Sequence, residues 1–480
     1  MGSDRPIAAA HAPRGRVALL TLQRLGDLIT GAHVASELAR RAEVEAIELV
    51  HFSPTEQAAR LLPGISIRHA LDYNALKQLR HLHPFAAATR LSARLEEIRG
   101  AHGFDTVVNL SSTRFACAIG PTLLNAGGTM LGPQLDDRGQ FLTDDPFSQH
   151  INDFGVDAGL NVFAHQDLYA AAASVAPGAC TLPTGSSRAR HEARRALAPL
   201  AGRTELPLAM HLHSSDLRKD WGDASSLSRW RGLVQAIGER SDRGVVLLGH
   251  PRERPVLQAL AEACPTRSTV ATCPIDTTAE ILRRCAGLIS VDTVSIHLAA
   301  LVGCRSVVLR LGPAGGMAFA PGEGALLIDP RSDCYPCERT QCTSAPIHAC
   351  HHDLHVGDLV DLCQVHLLGR PLSALASRRI CARVRVRVCQ TDDLGLRQLV
   401  TPQWLPAGVA DRRADLSDAA WRRAWWLSWT HPEATDDRLV WQLASPTTAA
   451  GKARLERLMA GDSLLARKLG PIVESQRVGA

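Results

Sequence analysis

Residues 16–27 carry the sequence RVALLTLQRLGD, and this stretch indicates the type of fold. Its first seven residues form a short apolar run, which is typical of a buried β-strand. A turn that contains Gly26 follows, and a helical pattern extends from Asp27 to about Arg41. The alternation continues with predicted strands at 46–52, 65–70 and 106–110 and a predicted helix at 76–99. Strands that alternate with helices predict a parallel sheet covered on both faces.

The alternation stops in a segment rich in proline and glycine and then begins again. Residues 174–203 contain three prolines and three glycines, which is typical of a linker, here with one helix rich in Arg and Ala. Strands are predicted again at 207–213, 244–248, 268–271, 287–291 and 306–311. The chain is also too long for one ordinary core. We therefore expect two α/β domains, at 15–185 and 204–369, joined by a linker at 186–203.

The two ends of the chain depart from this pattern. Residues 1–14 are small and polar and are expected to be disordered, and residues 370–480 are expected to form a C-terminal extension of a hairpin and helices, with the hairpin turn at 392–395. A strand with one basic and one apolar face is predicted where valines alternate with Arg383, Arg385 and Arg387. A helical stripe is predicted from Trp421, Trp425 and Trp429. The extension is expected to serve acceptor binding or assembly, and the alternative is a helix that docks on the main body.

The composition argues against several classes of protein. A net charge of +5 spread over 480 residues is not that of a nucleic-acid-binding protein, but it suits a phosphorylated donor or an anionic acceptor. The sequence contains no uninterrupted run of ~18 apolar residues and begins without the apolar core of a secretory signal. We therefore expect a cytoplasmic protein, at most peripheral at the inner membrane. Its 13 cysteines are then expected to be thiols or metal ligands rather than disulfides.

Asp27 is the first candidate for a chemical role. It follows the first predicted strand, and ligands of parallel sheets bind at the carboxyl ends of strands. Gly26 beside it permits a tight turn and the close approach of a ligand. The alternative is structural, because aspartate at a helix N-terminus caps the helix and complements its dipole.

Residues 291–300, VDTVSIHLAA, form the second candidate station. A strand ends there, Asp292 and Thr293 form a turn, and an apolar helix begins. Thr293 and His297 are four residues apart, so they share one helix face. Hydroxyl, imidazole and backbone N–H groups at a helix N-terminus suit a diphosphate. The alternative is that Asp292 or Thr293 only caps the helix and that His297 is a core residue.

Two further candidates follow strands of the second half. Lys219 lies in the loop after the strand that ends at His213, where a cation can reach a phosphate. Glu253, in the stretch GHPRE at 249–253, can accept hydrogen bonds from ribose hydroxyls. A solvated lysine and a first-turn glutamate without function are the alternatives.

A group of cysteines in residues 333–351 has the spacing of metal ligands. Cys334 and Cys337 form a CxxC pair, and Cys342 and Cys350 follow, with three histidines close by. The segment has few apolar residues, so one iron or zinc ion could serve as a structural staple. The alternative is a set of loop thiols. Four other cysteines lie in apolar runs and are expected to be core residues: Cys117, Cys264, Cys285 and Cys304.

Taken in order, these stations resemble the bacterial heptosyltransferases of glycosyltransferase family nine. The family's strand-then-LGD motif corresponds to Leu25-Gly26-Asp27, and its V-D-T-x-x-x-H-L-A-A signature corresponds to Val291–Ala300. Its K-x-W and G-x-P-x-E elements correspond to 219–221 and 249–253. The resemblance spans about residues 16–367.

The resemblance implies a GT-B arrangement of two Rossmann-like α/β domains and transfer of heptose from ADP-heptose with inversion. On this basis Asp27 is the general base. The diphosphate is held by Lys219, Thr293 and His297, the donor sugar by Asp292, and the ribose by Glu253. The family needs no metal for its chemistry, because stabilising the charge of the departing diphosphate can replace one.

The cysteine quartet and the extension distinguish this chain from heptosyltransferases of the lipopolysaccharide core. The quartet resembles instead the branch that glycosylates autotransporter proteins and carries an iron-type cysteine site in a large assembly. The acceptor is therefore expected to be a lipopolysaccharide core or a protein, and the protein could form a homo-oligomer. Two alternatives remain: a sugar-nucleotide epimerase of GT-B fold, and a non-catalytic, metal-stapled binding or assembly protein. An NAD-dependent dehydrogenase is not expected, because no G-x-G-x-x-G follows strand one.

Overall fold

The chain consists of two compact units. The first comprises Met1–Gly178, Leu394–Leu396 and Arg413–Ala480, and the second comprises Ala179–Asp393 and Arg397–Arg412. The computed structural model describes residues 12–142, 145–154, 161–221, 227–265, 267–337, 342, 348–405, 419, 422–423, 426 and 429–430. The segment predicted to be disordered, 1–14, lies almost entirely outside these residues. The first boundary between the units falls earlier than the predicted domain end at residue 185.

The first unit is built around a parallel sheet of five strands. In chain order these are β1 (Gly15–Thr21), β2 (Val44–Phe52), β3 (Ile67–Leu71), β4 (Phe104–Asn109) and β5 (Leu124–Leu131). Their order across the sheet is β3-β2-β1-β4-β5, and all neighbours are parallel. This is the strand order of a Rossmann-like domain, in which ligands bind beyond the carboxyl ends of the strands.

The described helices of the first unit include two interruptions that the sequence pattern does not predict. The helices are α1 (Leu25–Thr30), α2 (Ala32–Leu38), α3 (Glu56–Ala59), α4 (Tyr73–Leu82), α5 (Pro84–Arg99), α6 (Arg114–Leu123), α7 (Pro146–Phe154) and α8 (His165–Ala172). The helix predicted from Asp27 to Arg41 is two helices that meet at Gly31. The helix predicted at 76–99 is broken before Pro84, because proline lacks an N–H group and is favoured in the first turn of a new helix.

The second unit contains an eight-stranded sheet. Its strands are β6 (Leu208–His211), β7 (Val245–Leu248), β8 (Ser268–Ala271), β9 (Gly287–Val291), β10 (Ser306–Leu309), β11 (Ala325–Pro330), β12 (Val384–Thr391) and β13 (Arg397–Val400). They are ordered β13-β12-β11-β10-β9-β6-β7-β8. The six strands from β8 to β11 are parallel and follow the Rossmann order 3-2-1-4-5-6. The last two strands are antiparallel additions at one edge.

The described helices of the second unit begin within the predicted linker. They are α9 (Ser187–Leu197), α10 (Leu227–Arg240), α11 (Arg254–Ala263), α12 (Ile275–Leu282), α13 (Val294–Leu301), α14 (Ala349–His352), α15 (Val356–Leu368) and α16 (Ala374–Arg383). Helix α9 packs against α12 and β8, so residues 186–203 are part of the second unit rather than a connector. Among the helices that the structure describes, none is both long enough and apolar enough to cross a bilayer.

The predicted C-terminal extension is divided between the two units. The predicted hairpin is present as β12 and β13, but it belongs to the sheet of the second unit. Arg383 ends α16 and is not part of the strand. Of the predicted tryptophan stripe, Trp421 and Trp425 lie outside the described residues. Trp429 and its neighbour Trp426 pack on Phe147 and Phe163 of the first unit, as expected if this part of the chain docks on the main body.

Candidate functional site

Candidate residues follow three adjacent strands of the second unit and lie at one edge of its sheet. The strands β9, β6 and β7 are neighbours and run parallel, so their carboxyl ends lie side by side. Asp292 follows β9 directly, the loop with Lys219 follows β6, and Glu253 follows β7. Residues that are up to 73 positions apart in the sequence are thereby collected at the position where Rossmann-like sheets bind their ligands.

Lys219 and Asp292 form an ion pair at this edge. The Lys219 Nζ lies 2.5 Å from the Asp292 Oδ2, and the two side chains are 19% and 6% exposed. The ring of Phe319 lies 5.6 Å from the same Nζ. An ammonium group has three N–H donors, and Asp292 occupies one of them. The pair therefore fixes the position of a lysine that can still donate hydrogen bonds to an anion.

The loop that carries Lys219 is braced on both sides of it. Asp220 accepts hydrogen bonds from His213 Nδ1 at 3.0 Å and from the Ser214 backbone N–H at 2.7 Å. The hydrogen bond that His213 donates to Asp220 raises the pKa of His213 above its ordinary value, against the effect of burial. Trp221 is fully buried and meets Trp230 edge to face with ring centroids 5.1 Å apart. In this loop, buried Trp221 anchors the chain, Asp220 fixes it through hydrogen bonds, and Lys219 supplies the cation that pairs with Asp292.

Helix α13 places Thr293 and His297 beside Asp292. Thr293 is the extended residue that precedes the helix, and His297 lies one turn further along and is buried. The positive end of the helix dipole is therefore at the same sheet edge as Lys219. The helix is fixed from below, because Ser295 Oγ lies 2.5 Å from Nδ1 of His211 at the end of β6. Burial lowers the pKa of His211 to about 4, so that this histidine is neutral near pH 7.

Glu253 takes part in a tight local arrangement after β7. Its Oε2 accepts a hydrogen bond from the His250 backbone N–H at 2.8 Å. A Cβ atom on Gly249 would lie only 2.5 Å from the same oxygen, so a side chain at that position would displace the Glu253 carboxylate. Glu253 is half-buried and close enough to His213 for its charge to contribute to the raised pKa of that histidine. One glutamate oxygen thus supports the turn, and the carboxylate stays at the edge where the other candidates lie.

Asp27 lies in the first unit, at the third position of α1. Its Oδ2 accepts a hydrogen bond from the Arg24 backbone N–H at 3.1 Å, so it supports the helix start without being the N-cap residue itself. The tight turn expected at Gly26 is absent, because Gly26 belongs to the first turn of α1 and does not have a positive φ. Apart from its own helix, no residue that the structure describes would come within 4 Å of a Cβ atom on Gly26, so the space beside Asp27 is open there.

The sequence did not suggest Tyr169, a buried neighbour of Asp27 on α8. Burial, followed by the negative charge of Asp27, raises the pKa of Tyr169 well above its ordinary value. Its hydroxyl donates a hydrogen bond to Gln23 Oε1 at 3.3 Å. Tyr169 therefore remains a neutral hydrogen-bond donor that lines the surroundings of the candidate base. Tyr169 is recognised as a site residue only from the burial of α8, which the sequence pattern does not predict.

The cysteine segment is attached to the loop of Lys219. The Cys337 backbone N–H bonds Gly312 O at 2.9 Å, and the Gly312 N–H bonds the Cys350 sulfur. A Cβ atom on Gly312, where φ is +57°, would lie 2.6 Å from the Arg218 carbonyl oxygen. His351 Nε2 lies 3.3 Å from that same oxygen. The segment and the residue before Lys219 thus meet at a glycine that cannot be replaced without displacing one of them.

The four predicted metal ligands lie in one neighbourhood. Burial raises the pKa of the Cys350 thiol to about 11, and the charges of Cys334, Cys337 and Cys342 act on it in the same direction. The Cys342 sulfur accepts a hydrogen bond from the His348 backbone N–H at 3.1 Å. Within the described part of the segment, no three potential ligands are close enough together to hold an ion. The four thiols fit a soft metal by chemistry, and their spacing in the structure is not that of a closed site.

The prediction of buried core cysteines is confirmed, whereas the predicted basic face is occupied by ion pairs. Cys117, Cys264, Cys285 and Cys304 are buried, as predicted. The predicted basic face is not a free surface, because Arg387 on β12 pairs with Asp329 and Arg383 at the end of α16 pairs with Asp358 inside the second unit. The alternating charges predict a basic face, and the acids that pair with them lie on other elements of the unit.

A buried ion-pair network joins the cysteine segment to the sheet. Arg310, directly after β10, donates two hydrogen bonds of 2.7 Å to the two carboxylate oxygens of Asp329 on β11. Arg387 on β12 donates a third at 2.6 Å, and the Tyr335 hydroxyl donates a fourth at 2.7 Å. The two arginines hold the pKa of Asp329 far below its ordinary value in spite of its burial. Tyr335, which lies between Cys334 and Cys337, is thereby tied to the centre of the unit.

Comparison with known proteins supports the fold. No protein-family model and no curated protein sequence matches this chain. Among solved structures, the chain is similar to a glycosyl transferase of family 9 from Veillonella parvula DSM 2008, with 15% identity and a TM-score of 0.53 over 74% of this chain and 97% of that one. This likeness shows the GT-B type of fold, with two Rossmann-like domains in one chain.

Two further structures are similar at lower scores. ADP-heptose lipopolysaccharide heptosyltransferase II of E. coli is 14% identical, with a TM-score of 0.48 over 74% of this chain and 99% of that one. The dodecameric iron-containing heptosyltransferase TibC, in complex with ADP-D-beta-D-heptose, is 11% identical, with a TM-score of 0.42 over 74% of this chain and 77% of that one.

Proposed function

We propose that the chain is an inverting glycosyltransferase of family 9 that transfers heptose, or a similar sugar, from ADP-heptose to an acceptor hydroxyl. The observation that carries this proposal is the Lys219–Asp292 ion pair beside the N-terminus of α13. A cation, a carboxylate and a helix N-terminus at one sheet edge offer partners for the two halves of a nucleotide sugar, the diphosphate and the hydroxyl-rich sugar.

The donor would be held entirely by the second unit. Lys219, Thr293 and His297 would bind the diphosphate, and Asp292 would accept hydrogen bonds from hydroxyls of the sugar. Glu253, beyond the neighbouring strand β7, would accept hydrogen bonds from the ribose. Asp292 holds Lys219 in place, and the remaining N–H donors of Lys219 would reach the phosphate oxygens of a bound donor.

Asp27 would act as the general base. It would take the proton of the acceptor hydroxyl as that oxygen forms a bond to the anomeric carbon of the donor. The bond between that carbon and the diphosphate oxygen breaks, and ADP leaves from the opposite face, which inverts the configuration. Lys219, His297 and the helix dipole would stabilise the charge that develops on ADP. No step requires a metal ion.

The test is a survey of donors with and without acceptors. The purified protein is incubated with ADP-heptose and with other nucleotide sugars, each alone and with heptose-free lipopolysaccharide core or unglycosylated protein. We expect release of ADP from ADP-heptose that depends on one of these acceptors. Interconversion of the donor sugar without any acceptor would instead identify an epimerase, and the absence of binding to every nucleotide sugar would support a non-catalytic scaffold.

We also propose that Cys334, Cys337, Cys342 and Cys350 bind one structural iron or zinc ion. Four thiolates can close a tetrahedral site and leave no position open for water, so the ion would stabilise the segment and not take part in catalysis. Support comes from the chemistry of four thiols in one segment and from N–H groups that already bond the sulfurs of Cys342 and Cys350; binding would draw the four sulfurs closer together than they lie in the described residues.

Metal analysis of protein purified without chelators tests this second proposal. We expect about one ion per chain, and Cys337→Ser should lose it and lower the melting temperature. Cys273→Ser, which changes a half-buried cysteine outside the segment, is the matched control and should keep the ion. Wild-type protein that contains no metal, and whose melting temperature a chelator does not change, would leave the four cysteines as loop thiols.

A further inference from the structure

The corner between α4 and α5 in the first unit exposes two large apolar side chains. Leu82, the last residue of α4, is 73% exposed, and Phe85, the second residue of α5, is 88% exposed. Only His83 and Pro84 separate them, and both are exposed as well. Because exposed apolar side chains of this size are costly when they lie together in water, such a pair marks a surface that contacts something apolar.

The same corner is strongly basic. Residues 73–95 contain four basic residues, Lys77, Arg80, Arg90 and Arg94, and no aspartate or glutamate. Lys77, Arg80 and Arg90 are exposed, whereas Arg94 is half-buried and paired with Glu97 at 2.6 Å. Three exposed cations thus lie within five residues of the apolar pair along the chain, and the acidic residues of the two helices, Glu96 and Glu97, lie at the far end of α5.

The corner projects into solvent, and the two helices that form it are fixed at their far ends. The far end of α5 is anchored in the core of the first unit through Leu95 and Ile98. At the other end, Asp72 Oδ1 accepts a hydrogen bond from the Ala75 backbone N–H at 3.0 Å and caps α4. The exposed side chains are therefore presented by two ordered helices, so that little conformational freedom is lost when they bind.

We propose that this corner, defined by Lys77, Arg80, Leu82, Phe85 and Arg90, docks on an anionic lipid surface. Phe85 and Leu82 enter the interface between headgroups and acyl chains, and the cations bind the negative headgroups. A second copy of the chain fits less well, because a two-fold contact brings the same basic patch of both copies together. The inference goes beyond the proposed function and does not depend on it.

Vesicle sedimentation tests the proposal. The full chain is mixed with vesicles of phosphatidylcholine and phosphatidylglycerol and, separately, with vesicles of phosphatidylcholine alone. We expect binding to the anionic vesicles that weakens with salt, and little binding to the neutral ones. The double variant Leu82→Ser/Phe85→Ser and the triple variant Lys77→Gln/Arg80→Gln/Arg90→Gln should each lower the partition coefficient by on the order of tenfold or more.

Two controls keep the result unambiguous. Leu375→Ser changes a side chain that is 79% exposed in the second unit and should bind vesicles like wild type. Sedimentation velocity of wild type and of Leu82→Ser/Phe85→Ser is compared without lipid. Equal binding of all variants, or no binding of wild type to anionic vesicles, overturns the proposal. An oligomer that dissociates in the double variant also overturns it, because the corner is then a contact between copies. The binding readout does not involve nucleotide sugars, so its outcome is separate from that of the transfer assay.

Discussion

Asp27 can serve two purposes with one carboxylate. One oxygen accepts the Arg24 N–H in the first turn of α1, and the group is only partly buried, beside a glycine whose missing side chain leaves open space. The structural role requires only an oxygen acceptor, whereas the proposed catalytic role requires a group that can take up a proton. The two roles can therefore be separated by substitution.

We expect Asp27→Asn to abolish transfer and to leave ADP affinity near that of wild type. The amide oxygen of asparagine can still accept the Arg24 N–H, so the loss of stability should be at most a few tenths to ~1 kcal/mol. Asp27→Ala, which removes the acceptor as well, should be equally inactive but less stable. If Asp27→Asn transfers sugar within about tenfold of the wild-type rate, the aspartate supports the helix and is not the base.

Lys219 and His297 test the placement of the donor site. Loss of a hydrogen bond to a charged group costs ~1–3 kcal/mol, so Lys219→Ala and His297→Ala should each weaken ADP binding by about that amount. The effect of Lys219→Ala should be the larger, because Asp292 is then left without its cation beside the phosphates. Calorimetric titration with ADP measures both. Lys77→Ala in the first unit is the control, and unchanged ADP affinity in both site variants would show that the donor binds elsewhere.

At the scale of elements, the network around Asp329 joins three consecutive strands of the second sheet. Arg310 follows β10, Asp329 belongs to β11 and Arg387 to β12, so the pairing exists only once these strands are neighbours. The sequence could not reveal it, because the pattern around Arg387 is also that of a solvated basic strand. Strand β5 was missed for a different reason: Gly127 and Gly128 interrupt its apolar run and resemble a turn.

We expect Asp329→Asn to lower the free energy of unfolding by about 3–5 kcal/mol. Removal of one partner from a buried ion pair leaves the other buried without compensation, and here two arginines would lose theirs. Chemical denaturation measures the change. Glu97→Gln breaks an exposed ion pair with Arg94 and should leave the free energy of unfolding nearly unchanged. An Asp329→Asn protein as stable as wild type would show that Arg310 and Arg387 are satisfied by other groups.

At the scale of the whole molecule, the sequence predicts the two sheets better than the limits of the units. Short apolar runs followed by polar residues locate most strands and place Asp292, Lys219 and Glu253 after strand ends, because buried parallel strands have this pattern whatever their neighbours are. Long-range packing determines the point at which the chain returns from the second unit to the first. The hairpin β12–β13 extends the second sheet, whereas Trp426 lies on the first unit. No local pattern distinguishes these two destinations.

Two truncated chains test separately the contribution of the hairpin to the second unit and that of the tryptophans to the first. A chain that ends at Gly369 lacks α16, β12 and β13, which leaves Asp329 without Arg387 and exposes the edge of β11. We expect this protein to lose ADP binding and to aggregate, because an unprotected edge strand is a template for association. A chain that ends at Leu405 keeps every strand of both sheets and loses Trp426 and Trp429, which pack on Phe147 and Phe163. Its ADP affinity should stay within about twofold of wild type, since the removed tryptophans belong to the first unit and the proposed donor residues to the second.

The longer truncated chain should differ from wild type in the stability of the first unit alone. Loss of a buried tryptophan costs ~3–5 kcal/mol, so Trp426→Ala in the full-length chain is the matched point variant and should destabilise the same unit. Calorimetric melting with and without ADP distinguishes the units, because ADP raises only the transition of the unit that binds it. ADP binding by the chain ending at Gly369 would show that β12 is not needed for the donor unit. Unchanged melting of both the chain ending at Leu405 and Trp426→Ala would show that the docked tryptophans do not stabilise the first unit.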